Sequence, residues 1–265
     1  MFRKILPATL SAALIITISS CSKYQQLMKS NDYEQKYEMG VVYYNQGNYY
    51  KALQLFDAVL PFFRGTEKAE QLAYYYAYCH YYEGDNILAS YYFDKFTKSF
   101  PNSKYAEECQ FMSAKCKYLD SPRYSLDQTN TYEAINDLQL FLDMYPNSER
   151  TQECNELIEE LRHKLERKEY EIARMYLKMS NYLAAIVTFN NLLKDYPDTD
   201  YREDALYSLT KAHYLYAVNS IMTKKKERYQ DAVEAYDIFE RAYPNSTLLK
   251  QADVYYRNAK KQLEN

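Results

Sequence analysis

Glycine and proline are scarce in this chain, with 4 and 7 among 265 residues. Tight turns draw heavily on both. Many short strands joined by turns, as in a sandwich, barrel or propeller, are therefore disfavoured. Tryptophan is absent, although 33 Tyr and 11 Phe bring the aromatic share to 17%. Histidine is nearly absent: His80, His163 and His213 stand far apart, with no partners at metal-ligand spacing and no CxxC. No G-x-S-x-G, glycine-rich phosphate loop or HExxH occurs. The adjacent pairs Glu107-Glu108 and Glu159-Glu160 would splay about 100° apart on a helix and read as solvated faces. The chain thus reads as a non-enzyme without metal or cofactor. Neither charge dominates: 33 basic residues face 36 acidic ones, a net of -3. That lacks the basic footprint of a nucleic-acid binder. What is abundant is apolar residues, 47% of the chain, enough to bury one or two cores and to exclude global disorder.

Long hydrophobic runs are confined to the beginning. Arg3 and Lys4 precede an apolar stretch from Ile5 to Ile18 that is too short to span a bilayer, which takes about 20 residues. Residues 1–20 read as a secretory signal peptide. Its end, Ile18-Ser19-Ser20-Cys21, resembles a lipobox. That resemblance implies that Cys21 becomes the mature N-terminus and carries acyl chains. Several acyl chains anchor a protein without a transmembrane helix. Ser22 stands where an Asp would signal retention, so resemblance to bacterial lipoproteins implies the outer membrane. The lack of an acidic cluster there favours its periplasmic face. Without Arg3 and Lys4 the balance becomes 31 basic against 36 acidic residues, or -5. Residues 21–32 read as a lipidated linker.

Four cysteines follow, at Cys79, Cys109, Cys116 and Cys154. An oxidising compartment permits disulfides. Cys109 and Cys116, however, are seven residues apart on one expected helix, about 10 Å, which is too far to bridge. All four read as small core residues.

The rest of the chain repeats. Phe100-Pro101-Asn102-Ser103, Tyr145-Pro146-Asn147-Ser148, Tyr196-Pro197-Asp198-Thr199 and Tyr243-Pro244-Asn245-Ser246 recur at spacings of 45, 51 and 47 residues. The residue before a proline is pushed out of the helical region, so a helix ends there. The Asn, Asp, Ser and Thr side chains then cap the next helix. Upstream of each mark lie Ala89-Phe93-Phe96, Ala134-Leu138-Phe141, Ala185-Phe189-Leu192 and Ala232-Tyr236-Phe239. Their steps of four and three put each set on one helical face. An earlier unit has the same layout without the proline, from Gly40 to Val59. This pattern resembles the tetratricopeptide repeat. It implies an all-α solenoid of five helix pairs over residues 33–265. Early repeats occupy about 33–104, a middle repeat about 105–148 and late repeats about 149–265. A closing helix, about Thr247 to Leu263, caps the end.

Departures from a 34-residue period mark particular features. Asp120 to Asn130 reads as an inserted loop, and Met222 to Arg228 as a second insertion. Within the latter, Lys224-Lys225-Lys226 reads as a solvated loop tip, or as a contact to lipid phosphates or an acidic partner. The helix from about Glu149 to Lys178 is unusually long, with Glu160/Lys164 and Arg162/Glu166 as candidate pairs.

Together the lipobox, the five repeats, both insertions and the string Asp195-Tyr196-Pro197-Asp198-Thr199 resemble the BamD (YfiO) family. These are lipoprotein subunits of the outer-membrane β-barrel assembly machinery. The resemblance implies a non-enzymatic scaffold that binds the POTRA domain of the barrel-forming subunit through its later repeats. It would receive unfolded β-barrel precursors through its early ones. Counting from Gly40 and Ala77, the concave side of the early repeats is expected to present Tyr37, Val41, Tyr44, Tyr74, Tyr78, Tyr81 and Tyr82. Tyrosine offers area at low rotamer cost plus a hydroxyl. Such a groove suits a peptide ending in an aromatic residue; the same tyrosines also suit packing between repeats. Tyr37 and Val41 stand where carboxylate-clamp repeats carry Lys and Asn, which argues against acidic chaperone tails. Two other readings stay open. One is a periplasmic repeat adaptor of envelope constriction or peptidoglycan synthesis. The other is a nutrient-capture partner of a TonB-dependent transporter.

Overall fold

The structure, a computed structural model, describes residues 23–264. All regular structure among them is helical. After a helical segment, α1, over residues 23–29, five pairs follow: α2 (Tyr33–Asn45) with α3 (Tyr49–Val59), α4 (Ala69–Tyr82) with α5 (Asn86–Ser99), α6 (Ala106–Asp120) with α7 (Thr129–Met144), α8 (Thr151–Lys178) with α9 (Tyr182–Asp195), and α10 (Arg202–Val218) with α11 (Met222–Ala242). α12 (Leu249–Glu264) closes the chain. The described residues fall into two compact units. One runs to Ser121 and includes Thr129–Asn155; the other combines Pro122–Gln128 with Glu156 onward.

Within each unit the pairs are built by one device. A small residue on the first helix lets the second approach, and an aromatic or aliphatic side chain of the second fills the space. Ala52, Phe56 and Val59 of α3 are fully buried, as are Ala89, Phe93 and Phe96 of α5 and Ala134, Leu138 and Phe141 of α7. Ala185, Phe189 and Leu192 of α9 and Ala232, Tyr236 and Phe239 of α11 repeat the pattern in the second unit. Each buried aromatic contributes roughly 2 kcal/mol through area removed from water.

The proline marks share one geometry. Phe100, Tyr196 and Tyr243 leave the helix with φ between -131° and -135°, the extended region that a following proline enforces. The Ser103, Ser148, Thr199 and Ser246 amides then donate to the carbonyls of Phe100, Tyr145, Tyr196 and Tyr243 at 3.0–3.2 Å. Their hydroxyls accept from the amides of Tyr105, Arg150, Tyr201 and Leu248. The hydroxyl therefore closes the turn before each helix rather than capping the helix itself, a local use open to Ser and Thr. Two hydroxyls also reach back one repeat: Ser103 Oγ donates to Glu70 and Ser148 Oγ to Glu107, each at 2.6 Å.

The two lengthened pairs take up their extra residues differently. Gly40–Phe56, Ala77–Phe93 and Ala173–Phe189 are each 16 residues apart, whereas Ala114–Leu138 and Ala212–Tyr236 are 24 apart. In the middle repeat the eight extra residues are the non-helical stretch 121–128. Its Leu126 carbonyl accepts from Lys168, and Tyr124 lies under Arg167. In the fifth pair the expected loop Met222 to Arg228 is instead the first two turns of α11. Nothing in Met-Thr-Lys-Lys-Lys-Glu-Arg breaks a helix, so the insertion lengthens one. α8 matches the expected long helix, but Arg162 pairs with Glu159 at 3.7 Å and not with Glu166, which is buried beside His163. The four cysteines are buried and unbridged. Burial raises the Cys116 thiol to about 12 and the Cys154 thiol to about 11, so both stay protonated and inert. The stretch expected as a linker is partly ordered: Tyr24 of α1 donates to Gln54 at 2.7 Å and meets the Tyr43 ring edge-on.

Gly40 is the tightest point of the first pair. A Cβ there would stand 2.5 Å from the Phe56 ring, which is fully buried. Alanine gains about 1 kcal/mol of helix propensity, but overpacking costs about 1–3 kcal/mol. Gly40→Ala is expected to lower stability by about 1 kcal/mol in urea unfolding, whereas an unchanged or raised midpoint would show that Phe56 moves freely.

Candidate functional site

α4 carries six tyrosines, at positions 74, 75, 76, 78, 81 and 82. Helical spacing sends Tyr74, Tyr78 and Tyr82 to one face and Tyr76 to another. On the first face the rings form a continuous ladder across three repeats. Tyr49 of α3 stacks on Tyr82 at 4.3 Å, Tyr82 meets Tyr78 at 5.7 Å, Tyr78 meets Tyr74 at 4.8 Å, and Tyr74 meets Tyr105 at 4.4 Å. Tyr44 joins from α2, 4.6 Å from Tyr75 and 6.4 Å from Tyr82. Tyr81 borders both Tyr78 and Tyr82.

One carboxylate holds the ladder's centre. The Tyr78 hydroxyl donates to Glu108 Oε1 at 2.5 Å and the Tyr74 hydroxyl to Glu108 Oε2 at 3.2 Å. Burial first, and the Glu108 carboxylate second, push both phenols above their ordinary range. They therefore remain neutral donors. Toward the first repeat, Tyr37 donates to Gln71 at 2.8 Å, and Gln71 Nε2 donates to Tyr75 at 3.0 Å.

The tyrosines expected to line the groove are thus brought together but differ in access. Tyr37 and Tyr78 are buried, Tyr44, Tyr74 and Tyr81 half-buried, and Tyr82 is 48% exposed. Val41 packs against the core of the first pair. The open edge is Tyr44, Tyr81 and Tyr82; Tyr37 and Tyr78 also serve packing between helices. Tyr49, Tyr105 and Glu108 belong to the same surface, and the sequence pattern assigns none of them to the groove. Glu107 and Glu108, read as a solvated pair, both accept hydrogen bonds from the adjoining repeat. A signal existed: Tyr37–Gln71 and Tyr74–Glu108 are each 34 residues apart, one full repeat, so equivalent positions of successive repeats touch.

On the far face of α4, His80 is buried between Tyr92, stacked at 5.1 Å, and Tyr76, edge-on at 4.8 Å. Its Nδ1 lies 4.0 Å from Asp85, and its Nε2 has no hydrogen-bond partner. Burial lowers its pKa, partly offset by Asp85 and Asp57. His213 is lowered for the same reason, offset by Asp231 and Glu234. Among the described residues no three His, Cys, Asp or Glu side chains come together in a metal-binding group.

A family model described as "Outer membrane lipoprotein", YfiO, matches residues 29–228. The chain belongs to the YfiO family. The stretch shared with the YfiO family holds the whole tyrosine ladder, the lengthened middle repeat and the start of the lengthened fifth pair. Two curated relatives are both described as "Outer membrane protein assembly factor BamD". That of Xylella fastidiosa (strain Temecula1 / ATCC 700964) is 31% identical over 87 residues, 33% of this chain and 30% of the relative. That of Caulobacter vibrioides (strain ATCC 19089 / CIP 103742 / CB 15) is 31% identical over 93 residues, 35% of this chain and 30% of the relative. The matches thus span under a third of these relatives' length. Among solved structures, the TPR2AB-domain:pHSP90-complex of yeast Sti1 is 14% identical at a TM-score of 0.40, covering 86% of this chain and 98% of that one. The P58(IPK) TPR domain is 14% identical at 0.41, covering 90% and 68%. The tetratricopeptide assignment rests on the chain's own helix pairs. No described helix of this YfiO member is long and apolar enough to cross a membrane.

A histidine that resists protonation when folded makes acid destabilising. The unfolded chain takes up its proton near the ordinary 6.5, the folded one only lower, so this contribution is complete above 6.5 and lost as pH falls through the folded pKa. Unfolding midpoints are expected to drop between pH 7.5 and 5.5. His80→Phe is expected to flatten part of that drop; equal slopes in both proteins would remove His80 as a cause.

Proposed function

We propose that the chain is a non-enzymatic lipoprotein scaffold of the β-barrel assembly machinery. Acyl chains on Cys21, which lies outside the described residues, anchor it to the periplasmic face of the outer membrane. It holds the barrel-forming subunit through that subunit's POTRA domain and receives unfolded β-barrel precursors on its early repeats. The carrying observation is the family match over residues 29–228, together with relatives described as outer membrane protein assembly factors.

The ladder supports the second half of the reading. Tyr44, Tyr81 and Tyr82 offer ring faces to an aromatic chain end, and such pairs are worth about 0.5–1.5 kcal/mol beyond their buried area. Their hydroxyls serve a peptide backbone. Because Tyr74 and Tyr78 are already satisfied by Glu108, the outer edge rather than the centre is the contacting part.

Photo-crosslinkers at Tyr82 and Tyr81 are expected to capture barrel precursors, while one at the exposed Tyr91 of α5 captures none; equal or no capture at all three sites would sink the groove. Cys21→Ala is expected to move the protein from the membrane fraction to the soluble fraction, and retention would sink the acyl anchor. Purification in mild detergent is expected to recover a barrel protein bearing POTRA domains. A TonB-dependent transporter or peptidoglycan synthases in its place would reassign the partner.

A further inference from the structure

The corner between α10 and α11 is built against the usual rules of helix design. Ile221 occupies the N-cap of α11 and offers no side-chain acceptor. Lys224, Lys225 and Lys226 fill the first turns, beside the helix's positive end, where acidic residues are favoured and cations are not. The first helices of the pairs follow the rule: α2 opens with Glu34, α4 with Glu70, α6 with Glu107 and Glu108, α8 with Glu153, and α10 with Glu203 and Asp204. The second helices α3, α5, α7 and α9 carry no acid there, and α11 differs from them in placing three lysines in a row. Stability alone does not account for this corner.

Its apolar content is equally out of place. Ile221 is 71% exposed and Met222 81% exposed, the highest values among the large apolar side chains described. Val218, one turn earlier, is exposed as well. The corner is nonetheless held in shape: Arg228 lies 3.8 Å from the Tyr216 ring centroid and donates to Ser220 Oγ. Leu263 of α12 packs into the cluster of Ala217, Tyr229 and Ala259. This brings the last turn of α12, with Lys260 and Lys261, to the same end of the unit. Lys224, Lys225, Lys226 and Arg228 thus follow the exposed pair within seven residues, and Lys260 and Lys261 stand at the same end of the unit, against Glu227 and Glu264, in a chain whose net charge is -3. Glu227 is engaged by Lys224 at 2.8 Å.

We propose that this corner is a direct contact with an anionic phospholipid surface. Ile221 and Met222 enter the boundary between headgroups and acyl chains, and the lysines meet lipid phosphates around them. Exposed apolar residues ringed by lysines suit that boundary, since lysine stems lie along apolar surface while their heads reach out. The charge complementarity selects a bilayer over a neutral protein groove, and the family description places such chains at a membrane. The inference rests on that membrane location and not on the assembly role or the acyl anchor.

The test uses the full chain carrying Cys21→Ala, so that no acyl chain contributes. A nitrobenzoxadiazole label is attached at Met222→Cys; the four other cysteines are buried. With vesicles of 30% phosphatidylglycerol in phosphatidylcholine, the emission is expected to shift to the blue. Pure phosphatidylcholine vesicles, or 0.5 M salt, abolish the shift. Each lysine near the surface is worth about fivefold in binding, so Lys224→Gln, Lys225→Gln and Lys226→Gln together are expected to weaken vesicle binding about a hundredfold. A label at Ile87→Cys, on α5 of the other unit, is expected to stay unchanged. An absent shift, an equal shift at residue 87, or a shift that requires an added protein would overturn the proposal, the last by making the corner a protein contact.

Discussion

The close approach of a small residue to a buried ring is the constraint on which every helix pair depends. At Gly40 it is tight enough that no Cβ fits beside Phe56. At Ala77, Ala114, Ala173 and Ala212 a methyl group fills the same role, and all four are fully buried. Helices held this close leave no room for water between them, and the fourth residue of each triplet step is already committed to the interior. The outer faces are thereby freed from structural duty, and it is there that the chain differs from one repeat to the next.

Position within the repeat was legible in the sequence because it is written locally. A proline forces the preceding residue into extended backbone, and a Ser or Thr two residues on closes the turn. Both effects act within four residues, so the strings ending at Ser103, Ser148, Thr199 and Ser246 predict their own geometry. Face assignment along α4 was legible for the same reason, since spacing of four puts Tyr74, Tyr78 and Tyr82 in line. Degree of burial was not. Tyr37 and Tyr78 differ from Tyr82 only through what lies across from them: Phe56, Phe63 and Gln71 for Tyr37, and Glu108 of α6, 30 residues downstream, for Tyr78.

Glu108 shows what local reading misses. An acidic residue beside another on a helix is normally solvated, and nothing adjacent marks Glu108 otherwise. Its meaning lies one repeat period away, where Tyr74 stands. The stretch from Met222 to Arg228 failed differently. Its departure from the period suggested a loop, yet its residues are all compatible with a helix, and no glycine or proline is present to stop one. Composition was the better guide there than spacing. The middle repeat makes the contrast: its extra residues include Pro122, Ser121 and Ser125, and they stay out of the helix.

The tyrosine ladder carries one more consequence. Each ring touches at least one other, and two of them share a single carboxylate. Contacts linked in this way are not additive: removing one member changes the free energy of removing its neighbour. The surface is therefore tuned as a whole. A substitution at Tyr78 releases half of Glu108 and alters what Tyr74 contributes, and a change at Tyr49 alters the stacking available to Tyr82. The ladder therefore responds to substitution as one unit spread over three repeats.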